Sequence, residues 1–199
     1  MTGLGPIAAV TLATPELQSS IDAWRLYLGY ELADHDRLTP AMAAQFGRPG
    51  LAGRRYALML PAGEGQTWLR FIESRPEPAY RPFRHMGWNA AELMVQDTDQ
   101  AAARIADSPF RVIGPPADLS ISDKIRAMQA IGPANEAIYL TSFKEKLAAF
   151  DVPEARHFID RVFIVILGGP SCEAVGAFYS RHFGVAPAAA TPSVITVLS

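Results

Sequence analysis

The sequence predicts an α+β fold built from repeated strand–helix–three-strand units. Three observations carry this. Two successive stretches, about 5–75 and about 84–143, each read as one strand, one helix and three further strands. A third stretch, from about 158, repeats the opening of the first without gaps. Hydrophobic residues make up 49% and charged residues 19% of the chain, the balance of a packed globular protein rather than a disordered one.

The first unit opens on Ile7–Leu12, a short, apolar and partly β-branched run, as a strand is. Thr14-Pro15-Glu16 is a helix start, with Thr14 as the expected cap. Leu17, Ile21, Trp24 and Leu28 then recur at helical spacing, and Gly29 stops the helix. Tyr30–Ala33, Tyr56–Leu60 and Thr67–Glu73 read as strands. A polar stretch, Asp34–Arg55, separates the first two of them, with a short helix around Pro40–Phe46.

Pro76, Pro78 and Pro82 make Ser74–Phe83 an extended linker. The second unit runs Gly87–Val95 as strand and Asp97 or Thr98 to about Ala106 as helix. Three strands follow: Phe110–Ile113, Lys124–Ile131 and Ala137–Thr141. Gly114-Pro115-Pro116 is read as the stop of the first and Gly132-Pro133-Ala134-Asn135 as the turn before the last. Residues 144–157 read as a helical linker. Beyond them Val162–Gly184 aligns on Ile7–Gly29: Val165 falls on Val10, Tyr179 on Trp24 and Gly184 on Gly29. This third unit, 158–199, is expected to be incomplete, stopping at Ser199 within the apolar run Val194–Leu198.

Composition narrows the function classes. A net charge of -2 argues against nucleic-acid binding driven by phosphate neutralisation. No apolar run approaches the roughly 18 residues of a membrane span, and the N-terminus lacks a signal-peptide pattern. A single cysteine, Cys172, excludes an internal disulfide framework and a cysteine-rich zinc site. The expectation is a cytoplasmic chain that binds a small molecule, with no nucleic-acid or membrane partner. The open strand edges of an incomplete unit make a homodimer plausible.

Phe178-Tyr179 followed by Phe183-Gly184, its weaker copy Ala23-Trp24 with Leu28-Gly29, Val95-Gln96-Asp97 and the Gly132–Asn135 turn carry a resemblance. The chain resembles the vicinal oxygen chelate superfamily of glyoxalase I, bleomycin-resistance proteins and extradiol dioxygenases. The resemblance implies tandem βαβββ modules, two of them forming a half-open barrel around a cavity, with the third partial. It also implies a divalent metal held by His, Gln or Glu on the first strand of a module and Glu on the last. The matching positions fall near Ala9 and Arg70 in module one, and near Ala90 and Tyr139 in module two. A methyl group ligates nothing, and arginine keeps its proton in proteins. No metal or other cofactor is therefore expected in these two modules.

Other residues are left to line the cavity. Arg70 offers a rigid fork for a carboxylate or phosphate, or an ion pair with Glu92 between modules. Tyr139 and Glu92 are the candidate catalytic residues, with a packed, backbone-tied phenol as the other reading of Tyr139. Arg126 is a further substrate-binding candidate or a solvated cation. His85 stands at the rim or in a solvated loop, and Trp68 and Trp88 supply apolar walls. His35, His157 and His182 share no ligand spacing with one another. The expected function is binding of a small oxygenated molecule, aromatic or acidic. The alternative is a metal-dependent lyase, isomerase or ring-cleaving dioxygenase with a non-standard site or a site in further C-terminal modules.

Overall fold

The computed structural model describes residues 4–147, 152 and 154–186. Module one comprises β1 (Ala9–Thr14), α1 (Leu17–Leu28), β2 (Tyr30–Arg37), α2 (Pro40–Gln45), β3 (Arg55–Pro61) and β4 (Trp68–Glu73). Module two comprises β5 (Gly87–Val95), α3 (Thr98–Ile105), β6 (Arg111–Leu119), β7 (Ser122–Ile131) and β8 (Ala137–Phe143). Then β9 (Ile159–Gly168) and α4 (Cys172–Phe183) begin a third.

The fold is α+β, with tandem βαβββ modules and sheets that do not close: a half-open barrel. The first sheet has the order β1-β4-β3-β2 and the second β6-β7-β8-β5-β9. In each module the first strand lies parallel to the last, and the other neighbours are antiparallel. The second sheet is extended by β9, antiparallel to β5. Module one joins module two through side chains rather than through a strand ladder.

Alternation assigns the faces. Val10, Leu12, Met59, Leu69 and Phe71 point to the helix side of the first sheet, as do Leu93, Met128, Ile138 and Leu140 in the second. All of them join one core around Trp24. The Trp24 ring meets Tyr30 at 5.0 Å, Phe71 at 5.8 Å and, from module two, Phe110 at 6.1 Å, each edge-on. The opposite, open face of the first sheet is partly covered by α2, whose Met42 packs near Tyr56 and Ile72 together with the following Phe46.

Several boundaries differ from expectation, each for a local reason. Thr14 is not the cap of α1; Glu16 is, and it makes no side-chain cap bond. The Thr14 hydroxyl instead accepts the Glu16 N–H at 3.2 Å and bonds the Ser20 hydroxyl at 2.8 Å, tying β1 to the helix. Strand β2 continues to Arg37 although Glu31–Arg37 is exposed and mostly polar, because β3 supplies its ladder. Strand β6 runs through Pro115-Pro116 rather than stopping there. It is an edge strand with an irregular register at this point, so the missing N–H groups face no partner. Most of the helical linker expected over 144–157 lies outside the described residues; its described flanks, 144–147 and 154–158, are not helical. The Val194–Leu198 run lies outside them too. Among the described residues no helix is long and apolar enough to cross a membrane.

Candidate functional site

A cleft of about 400 Å³ opens between β1 and the second sheet. Its walls include Ala9 and Thr11 from β1, Trp88 and Ala90 from β5, Tyr80 from the proline-rich connection, and Glu136 from the turn before β8. Ala9 and Ala90 thus share one cavity, as expected. Arg70 and Tyr139 do not line it. Register explains the difference: Arg70 is level with Thr11 rather than Ala9, and Tyr139 with Glu92 rather than Ala90. Each lies one pleat further along its strand on the open face.

On the module-one side, parallel pairing sets Arg70 beside Thr11. The guanidinium donates from Nε and Nη2 to Thr11 Oγ1, at 3.0 and 2.7 Å. Its central carbon lies 4.3 Å from the Phe46 ring centroid, a cation–π arrangement. Burial lowers the Arg70 pKa from its ordinary value, though not enough to discharge a guanidinium. Among the described residues it has no carboxylate within ion-pair distance. Glu92 is not its partner: the Thr141 hydroxyl donates to Glu92 Oε1 at 2.7 Å instead.

On the module-two side, the register places Glu92 directly beside Tyr139. Burial pushes the Glu92 carboxyl up, while the Thr141 bond favours its ionised form. Tyr139 is pushed up to about 12, first by burial and then by the neighbouring Glu92 charge. Its hydroxyl is buried and makes no hydrogen bond of ordinary geometry among the described residues, though the nearby Gln129 side chain partly offsets the rise. It is therefore not tied to backbone, and Phe83 packs edge-on against its ring at 6.1 Å.

The other candidates disperse. Arg126 lies beside α3, where Nε and Nη2 donate to Asp99 at 2.6 and 2.8 Å and Nη1 to Asp118 at 3.1 Å. Two carboxylates hold it away from the cleft. His85 is exposed, stacks on Tyr80 and keeps Nε2 within 3.1 Å of the Ala79 carbonyl. It props the connection beside the cleft. Trp68 is level with Ala9 on β4, half-buried, and no part of the cleft wall. Trp88 stands at the cleft, 63% exposed.

Sequence reasoning passed over Glu136. It is 6% exposed. Its Oε1 accepts the Trp24 Nε1–H and its Oε2 the Ala134 N–H, both at 2.8 Å. Burial pushes its carboxyl up to about 7. The carboxyl lies so close over Gly132 that a Cβ there would overlap it, which gives that glycine its reason. One signal was present: an acid opening an apolar strand straight after a turn. Nothing local pairs it with a tryptophan 112 positions earlier.

The resemblance implies a divalent metal held by the first and last strands of a module. Ala9, Arg70, Ala90 and Tyr139 supply two methyl groups, a cation and a phenol held protonated. Among the described residues no three His, Cys, Asp or Glu side chains gather as a metal site would require.

No family model matches the chain, and neither does any curated protein. Solved structures do. A glyoxalase family protein from Bacillus cereus aligns over 71% of this chain and 96% of its own, at TM-score 0.53 and 17% identity. Zea mays glyoxalase I aligns over 90% of this chain at TM-score 0.61 and 13% identity. This chain spans about half the length of that protein, 55% of which is covered. A member of the glyoxalase/bleomycin resistance protein/dioxygenase superfamily from Sphaerobacter thermophilus aligns over 70% of this chain and 98% of its own, at TM-score 0.51 and 19% identity. At these identities the likeness is one of fold: the chain has the vicinal oxygen chelate fold.

Proposed function

We propose that the chain binds a small oxygenated molecule with a carboxylate group and an apolar body in the cleft between modules one and two, without a metal in those modules. One observation carries the reading. Thr11 lines the cleft and accepts from Arg70, a half-buried guanidinium just beyond the wall on the same open face, with no carboxylate partner among the described residues, so a ligand carboxylate would reach past Thr11 to meet it. A desolvated cation seeks an anion, and the arginine fork suits a carboxylate. Ala9, Ala90 and Trp88 give the apolar walls an aromatic body would fill. Glu92 and Tyr139, one pleat beyond the cleft lining, are acid–base candidates should a bound molecule be turned over. With Tyr139 pushed up to about 12, Glu92 is the more acidic of the two, raised by burial and partly restored by the Thr141 bond.

The test is a titration with benzoate, followed by tryptophan fluorescence or calorimetry. Saturable binding is expected, weakened about tenfold or more in Arg70→Ala, because a charged hydrogen bond contributes about 1.5–3 kcal/mol. Equal affinity in the variant would remove Arg70 from the site. Stoichiometric iron, manganese, nickel or zinc in protein purified without a tag would overturn the metal-free part.

A further inference from the structure

We infer that Glu136 is a second polar anchor of the same cleft and accepts a hydrogen bond from a hydroxyl group on the bound acid, so that the ligand class is an aromatic hydroxy acid. The inference rests on the reading above and deepens it.

The geometry comes first. Glu136 belongs to the cleft wall although almost none of it meets bulk water. Each carboxyl oxygen already accepts one protein donor, Trp24 Nε1 on Oε1 and the Ala134 N–H on Oε2. A carboxylate offers about four acceptor positions, so capacity remains after both bonds.

The Glu136 backbone N–H is a further donor, and the rest of the described lining is mostly apolar. The cleft lining nearby is Ala90, Ala137, Val10 and Val165, and among the described residues no Lys or Arg side chain lines the wall. Asn89 spends its amide on the His85 and Gly87 carbonyls, at 2.9 and 3.0 Å. From α1 the group facing Glu136 is the neutral Trp24 indole, and from the turn it is a backbone N–H. From the connection it is the Tyr80 phenol, raised by burial and then by the Glu136 charge, and therefore neutral near pH 7. A buried carboxylate in an apolar wall is stabilised by each donor it gains, and its protein bonds leave acceptor positions open. A ligand hydroxyl donates to one without bringing a second charge into the wall.

The position also suits a proton-sensitive contact. The Glu136 carboxyl titrates at about 7. A hydroxyl donates best to the ionised form, so the contact strengthens as pH rises through that value. Benzoate, which brings only negative charge, gains nothing from the same ionisation.

The experiment compares benzoate with 3- and 4-hydroxybenzoate and their methoxy analogues at pH 6 and pH 8, in the intact chain and in Glu136→Gln. At pH 8 one hydroxybenzoate is expected to bind about tenfold tighter than benzoate, the worth of a hydrogen bond to a charged group. That preference should shrink toward unity at pH 6, in the methoxy analogue and in Glu136→Gln. Equal affinities for benzoate and both hydroxybenzoates, or a hydroxyl preference that survives in Glu136→Gln, would overturn the inference while leaving benzoate binding intact. If benzoate itself does not bind, the parent reading fails and this one falls with it. Should Glu136→Gln not fold, the methoxy and pH comparisons on the unaltered chain decide alone.

Discussion

Helices α1 and α4 begin from one repeated pattern, end in like glycines and sit in unlike surroundings. Gly29 closes α1 at φ 68°, ψ 21°, and Gly184 closes α4 at φ 66°, ψ 21°. This is the left-handed corner that glycine enters without a Cβ penalty. Yet α1 buries Leu17, Ile21, Trp24 and Leu28, whereas no residue of α4 is buried. The reason lies outside the helices. Met59, Leu69 and Phe71 of β3 and β4 lie against α1, and among the described residues no such sheet lies against α4. The repeat thus encodes a helix and its stop; burial is encoded by the strands that follow. The chemistry of the cleft depends on this, since Trp24 holds Glu136 only because α1 is docked.

The sharpest way to break the comparison is Trp24→Ala. The ring is fully buried among Tyr30, Phe71 and Phe110, and truncating a buried aromatic costs about 3–5 kcal/mol. Glu136 would also lose a donor, adding about 1–3 kcal/mol. Together these approach the whole stability of a typical domain, about 5–15 kcal/mol. Urea denaturation should show an early or vanishing cooperative transition. A loss under about 2 kcal/mol would mean that the two modules do not share one core.

A second effect follows from Glu136 and has a definite sign. Its folded pKa, about 7, lies above the 4.5 of an ordinary glutamate. Between those values the folded chain keeps a proton that the unfolded chain releases, so stability falls as pH rises through this window. The contribution is complete below about pH 4.5 and lost above about pH 7. At about 1.4 kcal/mol per pKa unit it comes to about 3 kcal/mol. Urea midpoints across the range, compared with Glu136→Gln, isolate it. The slope should flatten in the variant, and an unchanged slope would assign it to other groups. No residue of α4 is buried, so an equivalent effect is not expected there.

Much of the fold was legible because its signals are local. The stripe of Leu17, Ile21, Trp24 and Leu28 marks α1 to the residue, and Gly87–Val95 marks β5. Strand β2 was cut short because its exposed residues, Glu31–Arg37, carry no apolar alternation. In the site, Ala9, Ala90 and Trp88 line the cleft, because period two fixes the face a residue takes; it does not fix the register between strands, which sets Arg70 beside Thr11 and Tyr139 beside Glu92. Arg126 escaped because its carboxylates come from α3 and β6 and its strand lacks clean alternation. Glu136 escaped because its meaning is tertiary: a turn residue of one module under the indole of another.

The mildest prediction concerns the position that repeats Trp24. Tyr179 contacts Phe178 and Phe183, its own neighbours on α4, each at 5.5 Å between ring centroids. It also borders a shallow apolar groove with Met86, Trp88 and Leu167. Its ring leaves little water behind, so Tyr179→Ala should change the urea midpoint by no more than about 0.5 kcal/mol, as surface substitutions do. The same truncation at the same place in the repeat would then differ by an order of magnitude in cost, with the underlying sheet as the one variable. A loss above about 2 kcal/mol would place α4 inside the cooperative core. A loss that grew with protein concentration would show that another copy of the chain covers the stripe, because only association makes stability depend on concentration.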